Sequence, residues 1–82
     1  MTDKETLAYL NAFLDKGDTV SFLRAIKDIA VERGGIEELS KRCGLSKQII
    51  YKNLLMGNDI RIVHLNKILY ALDYRIMLVH EE

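Results

Sequence analysis

The chain has no proline and a single cysteine among its 82 residues. One cysteine excludes an internal disulfide framework and suits a reducing compartment, so a cytoplasmic location is expected. The longest unbroken apolar run, Ile68 to Leu72, is far shorter than the roughly 20 residues that a membrane span needs. The N-terminus mixes charged and apolar residues and lacks the pattern of a signal peptide. Low-complexity tracts, internal repeats and linkers are also missing, which predicts a single domain.

The chain also has no net charge, because its 12 basic side chains balance its 12 acidic ones. A DNA-binding domain is more often basic overall, so this sum argues against a nucleic-acid partner. The distribution argues the other way. Residues 36–67 carry six basic and three acidic side chains, a net +3, whereas residues 1–35 sum to −1 and residues 68–82 to −2. Positive charge is therefore concentrated in the middle third of the chain.

Apolar residues make up 49% of the chain, which is enough for a small core. A capping box at Thr2 to Glu5 predicts the start of a first helix, and Gly17 its end. Asp18 is expected to cap a second helix that ends at Gly34-Gly35. The expected core positions are Leu7, Leu10, Phe13 and Leu14 in the first helix, and Phe22, Leu23, Ile26, Ile29 and Ala30 in the second.

The stretch from Gly35 to Met56 is predicted to form two short helices joined by a tight turn at Gly44-Leu45-Ser46. Glycine ends a helix in the left-handed conformation without steric cost, and Ser46 is placed to cap the next helix. This is the layout of a helix-turn-helix, whose second helix enters the DNA major groove. Leu45, Leu54 and either Ile49 or Ile50 are expected to face inward.

A fifth helix is predicted from Ile60 to Leu72 after the turn cluster at residues 57–59. The residues available for burial on it are Val63, Leu65, Ile68, Leu69 and Leu72. Beyond Asp73 the apolar pattern has a period of two, which predicts a strand over residues 74–79. A lone strand needs a partner, so pairing with a second copy in a two-fold dimer is one hypothesis. The alternative is that this segment packs back on the core.

The outer face of the fourth helix carries the side chains that could contact DNA. Lysine donates to guanine O6 and N7, glutamine bonds bidentately to adenine, and tyrosine and serine donate to phosphates. The predicted DNA-binding residues are Ser46, Lys47, Gln48, Tyr51 and Lys52, with Asn58 and Arg61 near phosphates. The opposing interpretation is that this is the ordinary solvated face of an amphipathic helix. Glu37 and Glu38, at the start of the third helix, would repel phosphates unless they point aside.

From Tyr9 to Val79 the sequence resembles the small Cro/repressor-type antidote proteins of toxin–antitoxin (addiction) modules, the HigA-like group. The resembling stretches are YLNAFLDKGDTVSFLRAIKDIAVERGG, IEELSKRCGLSKQIIYKNL and HLNKILYALDYRIML. The resemblance implies a dimer that binds a palindrome in its own promoter and neutralises a small toxin, usually an mRNA-cleaving one. It also places the recognition helix at residues 46–52. Asn53 replaces a small apolar residue of the family, Ser40 replaces alanine, and MGNDIR lacks the usual proline.

The resulting prediction is an all-α, five-helix, lambda-repressor-like helix-turn-helix domain with a short C-terminal β-strand used in dimerisation. Its parts are an N-terminal helix pair over 1–34, the helix-turn-helix over 35–56, the fifth helix over 57–73 and the strand over 74–79. The expected partners are an operator in double-stranded DNA, a small toxin and a second copy of the chain, with no membrane.

Other functional classes find little support in the sequence. Cys43, His64 and His80 match no zinc spacing, and no nucleophile–base pair or phosphate-binding loop is present, so we expect no enzyme activity, metal or cofactor. Two rival functions remain. One is a protein-interaction module that keeps the helix-turn-helix scaffold without binding DNA, which the zero net charge favours. The other is a phage-type repressor with no toxin.

Overall fold

The computed structural model describes residues 1–56 and 59–81, and within them the secondary structure is entirely helical. The elements are α1 (Asp3–Asp15), α2 (Thr19–Glu32), α3 (Gly35–Cys43), α4 (Lys47–Tyr51), a π-helical segment (Lys52–Met56) that continues α4, and α5 (Ile62–Ala71). The predicted all-α architecture is confirmed. No helix in the described ranges is both long enough and apolar enough to cross a membrane.

The capping signals of the sequence set the starts of the first two helices. Thr2 and Glu5 form the predicted capping box, in which each residue's backbone N–H donates to the other's side chain at 3.0 and 3.1 Å. Asp18 caps α2 by accepting from the backbone N–H of Ser21 at 3.1 Å. These bonds satisfy backbone donors that the first helical turns leave without partners, so both helices begin where the sequence predicts.

The capping box makes the stability of α1 depend on pH. The backbone N–H of Thr2 donates to the Glu5 carboxylate and holds the pKa of that carboxyl below its ordinary value of 4.5. The stabilisation is therefore complete above that value and is lost as the pH falls through the lower pKa of the folded state. We expect Glu5→Gln, which keeps an acceptor, to reduce the acid-induced loss of stability. Urea unfolding midpoints measured from neutral to acidic pH test this, and equal pH profiles for the two proteins would contradict it.

The core forms around α2, which packs against α1, α3 and the π-helical segment, while α3 also packs against α4 and α5. The largest fully buried side chains come from α2, α4, the π-helical segment and α5, and are Leu23, Ile26, Ile50, Leu54 and Ile68. All five positions predicted to be buried on α2 are buried. Ile50 rather than Ile49 points fully inward from α4, since Ile49 is only half-buried.

Three positions predicted to face the core are instead exposed. Leu7 and Leu14 on α1 are 48% and 50% exposed, and Val63 on α5 is 56% exposed. Helical spacing places Leu7 and Leu14 on the face that holds buried Leu10, and all three line an open groove, so this face is only partly covered. The prediction was wrong at these positions because periodicity marks an apolar face and does not show how much of it is covered.

The C-terminal segment, residues 74–81, leaves α5 through a tight reversal. Asp73 adopts a left-handed conformation (φ 68°), its N–H donates to the Tyr70 carbonyl at 3.0 Å, and the Tyr74 N–H donates to the Leu69 carbonyl at 2.8 Å. This pattern is a Schellman motif, with aspartate in the place that glycine usually takes. The strand predicted for residues 74–79 is not formed in the described single chain. A strand needs a neighbouring edge for its backbone groups, and the helices offer none.

Arg33 fixes the start of this segment to the end of α2. Its guanidinium donates to the Leu72 carbonyl at 2.9 Å and to the Tyr74 hydroxyl at 3.0 Å, and it lies 5.3 Å from the centre of the Tyr74 ring. Arg33 therefore makes two charge-assisted hydrogen bonds and one cation–π contact. The sequence suggests only that a cation suits the last turn of a helix, so this longer-range role could not be predicted from it.

Removing the Arg33 guanidinium is expected to lower the free energy of unfolding by about 1–2 kcal/mol, because its charged hydrogen bonds are partly exposed to solvent. Urea unfolding of Arg33→Met measures this. Arg24→Met, an exposed arginine on the same helix, is the control and is expected to change stability by less than about 0.5 kcal/mol. Equal stability of the two variants would show that the Arg33 contacts contribute nothing.

Candidate nucleic-acid interface

The candidate site is built on α3, the three-residue turn Gly44–Ser46 and α4. Gly44 has φ 75°, a left-handed conformation that suits glycine, and its N–H donates to the Ser40 carbonyl at 3.0 Å. The Ser40 hydroxyl donates to the Leu45 carbonyl across the turn at 2.6 Å. Leu45 is buried beneath the turn. The predicted turn is therefore confirmed, and Ser40, at a position where the resembling family has alanine, helps to hold it.

Ser46 starts α4 as predicted. Its hydroxyl oxygen accepts from the Ile49 backbone N–H at 3.2 Å, while its own proton can be donated outward because the residue is exposed. Inside the helix, Ile50 is completely buried and anchors α4 to the core. A fixed inner side determines which residues of the helix face outward.

The structure brings five of the predicted residues together on the outer side of this short helix. Lys47, Gln48 and Lys52 are exposed, and Tyr51 is 46% exposed. Spacings of three and four residues place Gln48 beside Tyr51 and Lys52. With Ser46 they form a face on which every side chain can donate a hydrogen bond, and the side-chain carbonyl of Gln48 can also accept one. We call residues 46, 47, 48, 51 and 52 the α4 face.

The two remaining predicted residues lie elsewhere. Arg61 is exposed and immediately precedes α5, and no side-chain hydrogen bond or ion pair joins it to the α4 face in the described residues. Asn58 lies outside the residues that the structure describes. The described structure therefore groups five of the predicted residues on α4 and the two positions that flank it.

A π-helical turn follows directly after the α4 face. From Lys52 to Met56 the backbone widens, with Leu54 buried and the Asn53 amide nitrogen 3.2 Å from His64 Nδ1 on α5. The sequence predicts an ordinary helix here. Asn53 departs from the resembling family at this position, and the structure uses its amide in a side-chain contact. π-helical turns occur often at functional sites, although they do not define one.

The acidic residues on α3 are partly neutralised. The Glu38 carboxylate lies 3.2 Å from Arg42 Nε, one helical turn away on α3, and Glu37 remains exposed. Only one of the two carboxylates that would repel phosphates is therefore balanced by a close cation. Neither residue belongs to the α4 face.

The described residues contain no candidate metal-binding site. No group of three or more His, Cys, Asp or Glu side chains is positioned to hold an ion there. Cys43 is a buried core residue, and His64 contacts Asn53.

The fold and the α4 face define an all-helical domain that presents a short polar helix within a locally positive segment. A family model described as "Probable addiction module antidote protein" matches residues 1–80, and the chain belongs to this family. The antidote family indicated by the sequence resemblance is thereby confirmed, while membership of the narrower HigA-like group stays a prediction. Comparison with curated proteins finds no match, and comparison with solved structures finds none either.

Family membership gives the coarse function. An addiction-module antidote acts against a toxin, so the family implies an antitoxin role and a toxin partner. The family description does not mention DNA.

Proposed function

We propose that this antidote is also a sequence-specific DNA-binding regulator that represses its own operon as a cytoplasmic homodimer. In this proposal α3 and α4 form a helix-turn-helix, and the α4 face enters the major groove. The observation that carries the proposal is the α4 face itself, a group of exposed donor side chains on a helix whose inner side is fixed by Ile50. The proposal assigns the chain no catalytic step and no cofactor.

The residues of the α4 face divide into two roles. Lys47 and Gln48 lie in the first turn, which is the part of a recognition helix that contacts base edges. Gln48 carries a donor and an acceptor and so matches the bidentate edge of adenine. Tyr51 lies one turn further along on the same face and joins them in the groove. Ser46 and Lys52 flank the face and suit phosphate contacts, which set position rather than sequence.

The charge distribution along the chain also supports an orientation in which the α4 face meets DNA. Residues 36–67, which include the α4 face, carry a net +3, whereas residues 1–35 and residues 68–82 are net negative. The ion pair of Glu38 with Arg42 reduces the repulsion expected from α3. A neutral chain with this asymmetry would meet DNA through its middle third.

The rival proposal is a protein-interaction module on the same scaffold. Two observations favour it: the zero net charge of the chain and the exposed carboxylate of Glu37. The two functions differ in their response to salt. DNA binding releases counterions from the duplex, so its affinity falls steeply as salt is added, whereas a chain without DNA affinity shows no such dependence.

Retention on immobilised duplex DNA between about 50 and 200 mM salt decides between these functions. We expect the protein to bind at low salt and to elute within this range. Absence of retention at the lowest salt concentration would exclude DNA binding and favour the interaction module. An open reading frame for a small basic protein beside this gene would further support the antitoxin role.

Lys52→Ala is expected to weaken binding to all duplexes alike and to reduce the slope of log K against log salt by about one, because one phosphate contact is lost. Fluorescence anisotropy titrations at several salt concentrations measure the slope. Lys16→Ala, at an exposed position directly after α1, is the control and should leave it unchanged. A normal slope for Lys52→Ala would remove this residue from the interface.

A further inference from the structure

The chain exposes more surface than its size accounts for. Its accessible area is 6158 Å². A compact monomer of 9.4 kDa exposes about 5,000 Å² by the usual scaling of area with mass, so the excess is about 1,100 Å². A standard interface covers about 800 Å² of each partner. The excess is therefore large enough for an interface with one other protein.

Much of the exposed apolar surface lies at the C-terminal segment. Met77, Leu78 and Val79 are 69%, 94% and 81% exposed. Beside them runs an open groove of about 410 Å³, whose α1 wall includes the half-exposed Leu7 and Leu14. A continuous apolar surface of this kind on a soluble domain marks a site of protein contact.

The backbone of this segment also lacks partners. Residues 75–81, which follow Tyr74, take part in no backbone–backbone hydrogen bond in the described part of the chain. The segment alternates side chains as a strand does, and Arg33 anchors its start. Because the described chain has no strand that could pair with it, this exposed segment can join a β-ladder only through an edge supplied by another molecule.

We infer that two copies of the chain pair residues 75–81 as antiparallel strands about a two-fold axis at Leu78. This arrangement brings Val79 of each copy opposite Met77 of the other, next to the apolar groove. The inference deepens the homodimer of the proposed function by stating where the two copies meet and in which register. A second copy is the occupant because the segment complements itself, as its charges show.

The charges of the segment select this register. An antiparallel pair centred on Leu78 places Arg75 opposite Glu81 of the other copy. The two-fold axis generates a second, equivalent ion pair. A pair centred one residue earlier, on Met77, would place Asp73 opposite Glu81, two like charges. Opposite charges facing each other across strands stabilise a sheet and like charges destabilise it, so the register centred on Leu78 is favoured.

Sedimentation equilibrium of the protein without DNA or toxin tests the interface. We expect the wild type to sediment at twice its 9.4 kDa mass at micromolar concentration. Leu78→Asp should dissociate at least tenfold more readily while keeping its helical circular dichroism, because Leu78 is almost fully exposed in the single chain. The matched control is Val20→Asp, at an exposed position in the first turn of α2, where a negative charge suits the helix. It should remain dimeric.

Either of two results would overturn the interface: a monomeric wild type, or a Leu78→Asp variant that dimerises like the wild type. In the first case, loss of toxin binding by Leu78→Asp would assign the surface to the toxin instead. These measurements involve no DNA, so a failed interface leaves the DNA-binding proposal standing, and failed DNA binding leaves the interface standing.

Charge reversal tests the register. Arg75→Glu and Glu81→Arg should each weaken the dimer by about twofold or more, given two equivalent pairs. The double variant should recover most of the wild-type dissociation constant, because the opposite charges again face each other. A double variant that dimerises no better than the weaker single variant would exclude the register centred on Leu78.

Discussion

Ile50→Ala is expected to lower the free energy of unfolding by about 2–5 kcal/mol, the range for large-to-small changes in a closed core. Ile50 is completely buried on α4, where it joins the proposed recognition helix to the rest of the domain. A domain of 82 residues has a total stability of about 4–12 kcal/mol, so this single change removes a large part of it. Urea unfolding followed by circular dichroism measures the loss.

The matched control for this prediction is Ile62→Ala, because Ile62 is 60% exposed at the start of α5. It should change stability by less than about 0.5 kcal/mol. If the two isoleucine variants unfolded at the same urea concentration, the inward orientation of Ile50 would be wrong. The outward orientation of the α4 face would then be wrong with it.

Gln48→Ala is expected to cost about 1–3 kcal/mol of binding free energy at one base pair of the operator and little elsewhere. The reason is that a bidentate amide contact distinguishes one base, whereas phosphate contacts act on every sequence alike. Anisotropy titrations against a set of operators, each with one substituted base pair, would show the wild type discriminating at a position where the variant does not.

The control for Gln48 is Asn66→Ala, which removes an exposed amide from α5 outside the α4 face. It should retain the full specificity of the wild type. If Gln48→Ala discriminated among all operators as the wild type does, Gln48 would not be a base-reading residue.

Local signals in the sequence predicted the helices well. The capping box at Thr2, the cap at Asp18 and the glycine turn at Gly44 act through neighbouring backbone groups, so they can be read without knowing the tertiary structure. The outer side of α4 was predictable for the same reason, because Ile50 and Leu54 mark its inner side by helical spacing.

Features that depend on distant parts of the chain could not be predicted in this way. Arg33 contacts Leu72 and Tyr74 about forty residues later, which no local pattern indicates. Leu7 and Leu14 have the spacing of core residues, yet their exposure is decided by what packs over α1. The π-helical turn after α4 likewise has no sequence signal of its own.

The C-terminal segment shows the limit of periodicity most clearly. Its alternating pattern is that of a strand, but a strand exists only with a partner, and the single described chain supplies none. The same pattern carries the inference of a second copy. The sequence therefore indicates that residues 74–79 favour an extended strand. The structure shows that the described part of one chain offers no strand with which they could pair.

Footprinting on the DNA upstream of the protein's own gene tests whether the α4 face reads DNA. We expect two protected half-sites related by a palindrome, with centres about 10 base pairs apart or a multiple of that spacing. We also expect protection to be lost when Lys47, Gln48 and Lys52 are all replaced by alanine. Equal protection by the wild type and the triple variant, or no protection by the wild type, would contradict the claim that the α4 face reads DNA.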